Sequence, residues 1–239
     1  MKGSLFGGLF LLDFMILNMM LFFVCPSILF LINDNETFME ENLDMKGLKI
    51  LLIAAIFCAA ISMGATANAE SSKVYVKMQT SKGNILLELN RAKAPKTVAN
   101  FLRYVNEGHY DGTIFHRVIS GFMIQGGNMD KNMKPKQTYD PIENEARNGL
   151  YNDKYTIAMA RTNAPHSATD QFFINTADNG ALNFKSESSS GWGYAVFGKV
   201  LSGKKVVDSI EKVVTFRKGR YDDVPVKPVM IIKAEEVKQ

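Results

Sequence analysis

Only two cysteines occur in the 239 residues, Cys25 and Cys58, and both lie in apolar runs near the start. From residue 70 onward there is none, so that part uses no disulfide, no thiolate nucleophile and no cysteine metal site. Histidine is nearly as scarce. His109, His116 and His166 have no spacing, among themselves or with Asp and Glu, that makes a metal set. No G-x-S-x-G surrounds Ser167, so a serine nucleophile has no context. Gly126-Gly127 is followed by no Lys-Ser/Thr and is not a phosphate loop. Internal repeats, low-complexity linkers and long runs of like charge are missing as well. Residues 70–239 hold 25 basic and 18 acidic groups, a net +7 with no basic helix. That is a mildly basic surface, and it gives no argument for nucleic acid.

Long apolar runs are present only before residue 70. Residues 45–69, MKGLKILLIAAIFCAAISMGATANA, have the layout of a secretory signal. Lys46 and Lys49 form a positive region, residues 50–61 an apolar one, and Ala67-Asn68-Ala69 a small-x-small cleavage site. Cleavage there leaves a mature domain of 170 residues, 70–239, and puts it in the periplasm or outside the cell. Ile56-Phe57 ahead of Cys58 does not suit a lipoprotein anchor. Upstream, residues 5–32 are long enough to span a bilayer, although Asp13, Asn18 and Pro26 interrupt them. Two readings of residues 1–44 follow. Either translation starts at Met45 and they are an upstream over-extension, or residues 5–32 anchor the domain to a membrane.

The mature part reads as many short strands and two helices. Residues 73–90 alternate as a hairpin, with Val74, Val76 and Met78 before a Ser81–Asn84 turn and Ile85, Leu87 and Leu89 after it. Residues 94–110 give the clearest helix. Pro95 suits its first position, Val98, Phe101, Leu102 and Val105 form one stripe, and Gly108 suits the stop. A second helix fits residues 202–213, with Val206, Val207 and Ile210 inward. Apolar runs at 113–119, 122–125, 155–160, 171–175, 195–200 and 229–234 alternate with Gly, Asn, Asp and Ser clusters. Such a series predicts a mainly β domain, a closed antiparallel barrel or a sandwich, with the helices covering its open ends.

One charge stands out. In FHRVISGFMIQGG, residues 115–127, Arg117 sits among Phe115, Val118, Ile119, Phe122, Met123 and Ile124. A lone guanidinium is costly to bury unless it is paired or used. This stretch resembles the signature of the cyclophilins, the peptidyl-prolyl cis/trans isomerases, with Ser120 where the family usually has Pro. MARTNAPHSATDQFFINTADN (159–179) is similar to the bacterial form of the family's second block, and GYAVFGKVLSGKKVVDSI (193–210) to the strand and helix that follow. The resemblance covers residues 72–236, and three blocks in order make it specific.

The resemblance implies a closed eight-stranded antiparallel β-barrel capped by two α-helices, and a substrate groove on its outer surface. It implies a non-covalent isomerase without cofactor or metal, acting on proline-containing unfolded or exported chains. Arg117, Phe122 and Gln125 are then the catalytic residues, with Gln125 also helping to hold the arginine. Met123, Phe173 and Leu182 complete the proline socket. Ala160, Arg161, Thr162 and Gln171 form the floor, and Tyr194 stands where many members carry His. Taken singly, each apolar socket residue reads as ordinary core. Ala181 falls where many members carry Trp or another aromatic, which implies weak cyclosporin binding. That departure also keeps a second function open, a low-turnover chaperone or proline-peptide binding module. Asp170 pairs with a neighbouring base or perturbs the groove. Nothing in the sequence asks for more than a monomer.

Overall fold

A computed structural model describes residues 72–238. The signal-like segment 45–69, the apolar run 5–32 and both cysteines lie outside the described residues.

The predicted hairpin forms as β1 (Lys73–Thr80) and β2 (Gly83–Asn90). Its apolar positions are buried in strict alternation, which is what period-2 patterning dictates when one face packs on a core. Helix α1 (Pro95–Asn106) follows with the expected stripe: Val98 and Phe101 are wholly buried, and Leu102 and Val105 nearly so. Ala94 precedes it without a side-chain cap. Glu145 replaces that cap from far along the chain. Its carboxylate accepts from Lys96 N at 3.1 Å, Thr97 N at 2.8 Å and Thr97 Oγ1 at 2.7 Å. An anion on orphan N–H groups is favourable at a helix start.

Then come β3 (Thr113–Ile119), β4 (Met123–Asp130), β5 (Thr156–Met159), β6 (Phe172–Asn175) and β7 (Val196–Ser202), helix α2 (Lys204–Glu211), the hairpin β8 (Thr215–Lys218) and β9 (Tyr221–Pro225), and β10 (Ile231–Val237). Eight strands form one sheet in the order β10-β1-β2-β7-β5-β6-β4-β3, every pair antiparallel. The sheet curls until its two edge strands meet. Ile114 bridges Met230, Gly112 N donates to Ile231 O and Phe115 N to Val229 O, both at 2.9 Å. Closure is therefore a short seam rather than a full ladder, and the barrel is more open than the sequence predicts. Helix α1 packs against β2 and β10, and α2 against β2, β3 and β4.

β4 runs well past residue 125, through two glycines that sequence reasoning takes as a break. Each is there because a backbone passes close. A Cβ on Gly126 would stand 3.1 Å from Ile114 O. A Cβ on Gly127, with φ +109°, would stand 2.8 Å from Asp170 O.

Candidate active site

The alternation that fills the barrel also leaves a second apolar cluster outside it. Met123, Ala158, Phe173 and Val196 are buried together, apart from the main core, with Ile119, Phe122, Leu150, Ala160, Leu182 and Tyr194 packed around them. Pairing across the sheet explains the grouping. Arg117 stands opposite Gln125, Gln125 opposite Phe173, Phe173 opposite Ala158, and Ala158 opposite Val196. One charged, one amide and three apolar side chains thus form a row on the outer face.

A bulge puts Arg117 in that row. Phe115 pairs with Gly126 and Arg117 with the very next residue of β4, Gln125, so His116 is an extra residue in β3. Strict alternation would send Phe115 and Arg117 to the same side. With the extra residue, Phe115 and Val118 both enter the core, while the Arg117 side chain is 43% exposed. His116 absorbs the distortion. It is buried, its Nδ1 has no hydrogen-bond partner, and burial lowers its pKa from 6.5 to about 4. A neutral structural histidine is the result.

Arg117 is not held by Gln125, contrary to expectation. Gln125 Nε2 donates instead to Gln171 Oε1 at 2.9 Å. The counter-charge is Asp223, whose Oδ2 lies 3.7 Å from Arg117 Nε. Asp223 sits on β9 at φ +60°, in the left-handed region where Asp is among the few tolerated side chains. Among the described residues the guanidinium makes no hydrogen bond, so its donors remain available. Sequence reasoning missed Asp223 because residues 215–225, short and mostly exposed, carry no clear apolar period.

The other candidates fall on the rim and floor. Phe122 is half-buried on the β3–β4 turn, its carbonyl accepting from Thr176 N at 3.0 Å and Asn179 Nδ2 at 2.8 Å. The turn itself is fixed by Gly121 N donating to Glu211 Oε1 at 2.6 Å. Leu182 is half-buried at the end of a short 3-10 turn (Gly180–Leu182), with Ala181 exposed beside it. The Tyr194 ring meets Phe173 edge-on at 5.6 Å. The Arg161 guanidinium lies 4.7 Å over the Tyr194 ring and donates through Nε to Gly193 O. Ala160 N is bonded to Gln171 O, which joins the floor to β6. Thr162 stands further out on an exposed loop, its hydroxyl bonded to Ser167 Oγ. Trp192 packs against His166 and Phe184 and does not stand in for the missing aromatic. Asp170 is fully buried and is met by His109 Nε2 at 2.8 Å and Asn128 Nδ2 at 2.7 Å, so it pairs with a neighbouring base.

Comparison with known proteins follows the same outline. Residues 75–236 match the model of the family described as cyclophilin type peptidyl-prolyl cis-trans isomerase/CLD. A peptidyl-prolyl cis-trans isomerase of Streptomyces antibioticus is 62% identical over 160 residues, 67% of this chain and 96% of that one. Peptidyl-prolyl cis-trans isomerase B of Escherichia coli K12 is 56% identical over 156 residues, 65% of this chain and 95% of that one. Peptidyl-prolyl cis-trans isomerase A of Dickeya dadantii is 48% identical over 191 residues, 80% of this chain and 99% of that one. The crystal structure of a cyclophilin-type isomerase of Cryptosporidium parvum superposes with a TM-score of 0.56 at 25% identity, covering 70% of this chain and 99% of that one. A second structure of that protein was determined in the presence of the dipeptide Ala-Pro.

Proposed function

The chain belongs to the cyclophilin-type peptidyl-prolyl cis-trans isomerases, and from that premise we propose that the outer row beginning at Arg117 is where it turns X-Pro bonds. The activity needs no covalent step. Resonance sets a barrier of ~18–20 kcal/mol to rotation about a peptide bond. In the twisted state the prolyl nitrogen becomes pyramidal and regains a lone pair. A donor aimed at it stabilises that state more than the planar ones, and only such a difference accelerates the reaction. Arg117 supplies the donor: it is permanently charged, half-exposed and free of hydrogen bonds among the described residues.

Phe122, Met123, Phe173 and Leu182 receive the proline ring, and Tyr194 closes the socket. Gln125, Gln171, Ala160, Arg161 and Thr162 face the residues before proline, offering amide, guanidinium and backbone groups to an extended chain. A cyclophilin solved with Ala-Pro supports a proline peptide as occupant. The observation that carries the reading is the pairing row that sets Arg117 beside Gln125 and Phe173. With Ala181 at the rim, cyclosporin binding is weak. The protein acts as a monomer.

The test is protease-coupled turnover of an Ala-Pro peptide. Arg117→Ala lowers kcat/KM about a hundredfold or more at unchanged melting temperature. Asp223→Asn keeps a residue that accepts a positive φ but removes the counter-charge, and lowers kcat/KM about two- to fivefold, in the range of an exposed ion pair. Wild-type turnover in Arg117→Ala would sink the mechanism and favour the low-turnover binding module.

We also propose export: residues 45–69 are a cleaved signal and residues 70–239 act in the periplasm, on newly exported chains. The match to the Dickeya isomerase, at 80% of this chain, extends upstream of residue 72 and supports a shared leader. Sequencing the N-terminus of the protein isolated from cells gives Glu70 on this reading. Met1 would mean an uncleaved, membrane-anchored form.

A further inference from the structure

We propose that Asn152, Asn175 and Asn179 form a positioning relay that ties the two walls of the proline groove together. The proposal rests on the groove assignment above. One wall carries Phe122 on the β3–β4 turn, and the other carries Leu182 and Tyr194. No strand joins them directly. Main-chain bonds do so in part, Asn179 N donating to Asn152 O and Leu182 N to Asn179 O, both at 2.8 Å, and the side-chain amides add a second tie.

At the first wall Asn179 Nδ2 donates to Phe122 O at 2.8 Å and to Asn175 Oδ1 at 2.7 Å. Asn175, wholly buried on β6, donates through Nδ2 to Asn152 Oδ1 at 3.2 Å and Thr156 Oγ1 at 2.9 Å. Asn152, 1% exposed, turns its own Nδ2 toward the second wall. There it meets Leu182 O at 3.2 Å, Asn183 Oδ1 at 3.1 Å and Tyr194 O at 3.4 Å. Each amide thus accepts on one side and donates on the other, or donates to both neighbours. The run crosses the site from wall to wall.

Two features make this more than satisfied polar groups. First, the relay grips main-chain carbonyls of socket residues, so it sets where Phe122, Leu182 and Tyr194 stand. Second, the turn that carries Leu182 is only half-buried. It is three residues long and Ala181 within it is exposed, so its outer side has no packing beyond what Leu182 and Tyr194 make on the outer cluster. Where packing is thin, hydrogen bonds decide position. In a buried chain of amides, losing one member leaves its partners unsatisfied and loosens the others.

The test uses the full chain, binding measured by NMR titration with a short Ala-Pro peptide well below the melting temperature. Asn179→Ala cuts the relay at its half-buried end, where Phe122 O keeps Thr176 N as a donor. It raises the peptide Kd about five- to tenfold and shifts the Tyr194 amide resonance, which Asn179 does not touch. Asn152→Ala shifts the Phe122 resonance in return. A merely structural role would lower the melting temperature and leave the folded protein's Kd and the far-wall resonance unmoved, and that result overturns the relay. Asn179→Ala stands alone should Asn152→Ala fail to fold. Arg117→Ala, assayed in parallel for turnover of the same Ala-Pro peptide, keeps the two ideas separate. Retained turnover there overturns the catalytic reading, whereas wild-type binding in Asn179→Ala overturns only the relay.

Discussion

Adjacent residues on the same strands of this barrel live in two different hydrophobic clusters. Ile124, Ile157, Phe172 and Phe197 point inward and are sealed among aromatic rings, Phe101 against Phe172 and Phe197 for example. Met123, Ala158, Phe173 and Val196, each one position away, point outward. The inner cluster is buried between the curled sheet and the helices. The outer one is ringed by half-buried side chains and a turn whose middle residue, Ala181, is exposed. Both are built from apolar side chains. Completeness differs, and an incomplete apolar cluster is a place for an apolar guest.

Breaking the inner cluster gives the largest effect. Phe172→Ala, at a wholly buried ring, costs about 3–5 kcal/mol in chemical denaturation because it leaves an enclosed cavity. The pH dependence comes next and probes the residue between the two faces. The fold holds His116 neutral, with a pKa of about 4 against 6.5 unfolded. Stability from this group is complete above pH 6.5 and is lost as the pH falls toward 4, up to about 3 kcal/mol. Urea midpoints that decline below pH 6.5 in the wild type and flatten in His116→Gln would bear this out. A flat wild-type profile would contradict it. The smallest stability change is at the outer ring. Phe173→Ala costs about 1.5–3 kcal/mol, nearer the bare transfer value, since solvent reaches the space it leaves. Its main signature is weaker peptide binding. Equal stability losses for Phe172→Ala and Phe173→Ala would erase the distinction between the clusters.

Much of the barrel is legible from period alone. β1, β2 and α1 fall where alternation and the helical stripe put them, because each has one sealed face, and β3 falls where an apolar run puts it. The outer site is not legible that way. Met123 and Phe173 look like core in sequence, and a resemblance was needed to turn them outward. What escaped entirely depends on distant partners. Glu145 caps a helix that starts fifty positions earlier, Asp223 meets Arg117 from another hairpin, and the asparagines find one another only after folding. None of these has a spacing to read. Gly126-Gly127 misleads in the opposite direction, reading as a break where it permits close crossing.

The bulge at His116 has a consequence for how such a site could arise. Exchanging one side chain for another leaves the parity of a strand untouched, whereas a change in chain length alters it unless a bulge absorbs the difference. Here His116 absorbs it: Phe115 and Arg117 keep consecutive partners on β4, Gly126 and Gln125. Removing His116 would leave Phe115 facing the core and Arg117 facing the groove on plain alternation. The donor is thus placed by its pairing with Gln125, and the count of residues that precede it in β3 does not decide its side.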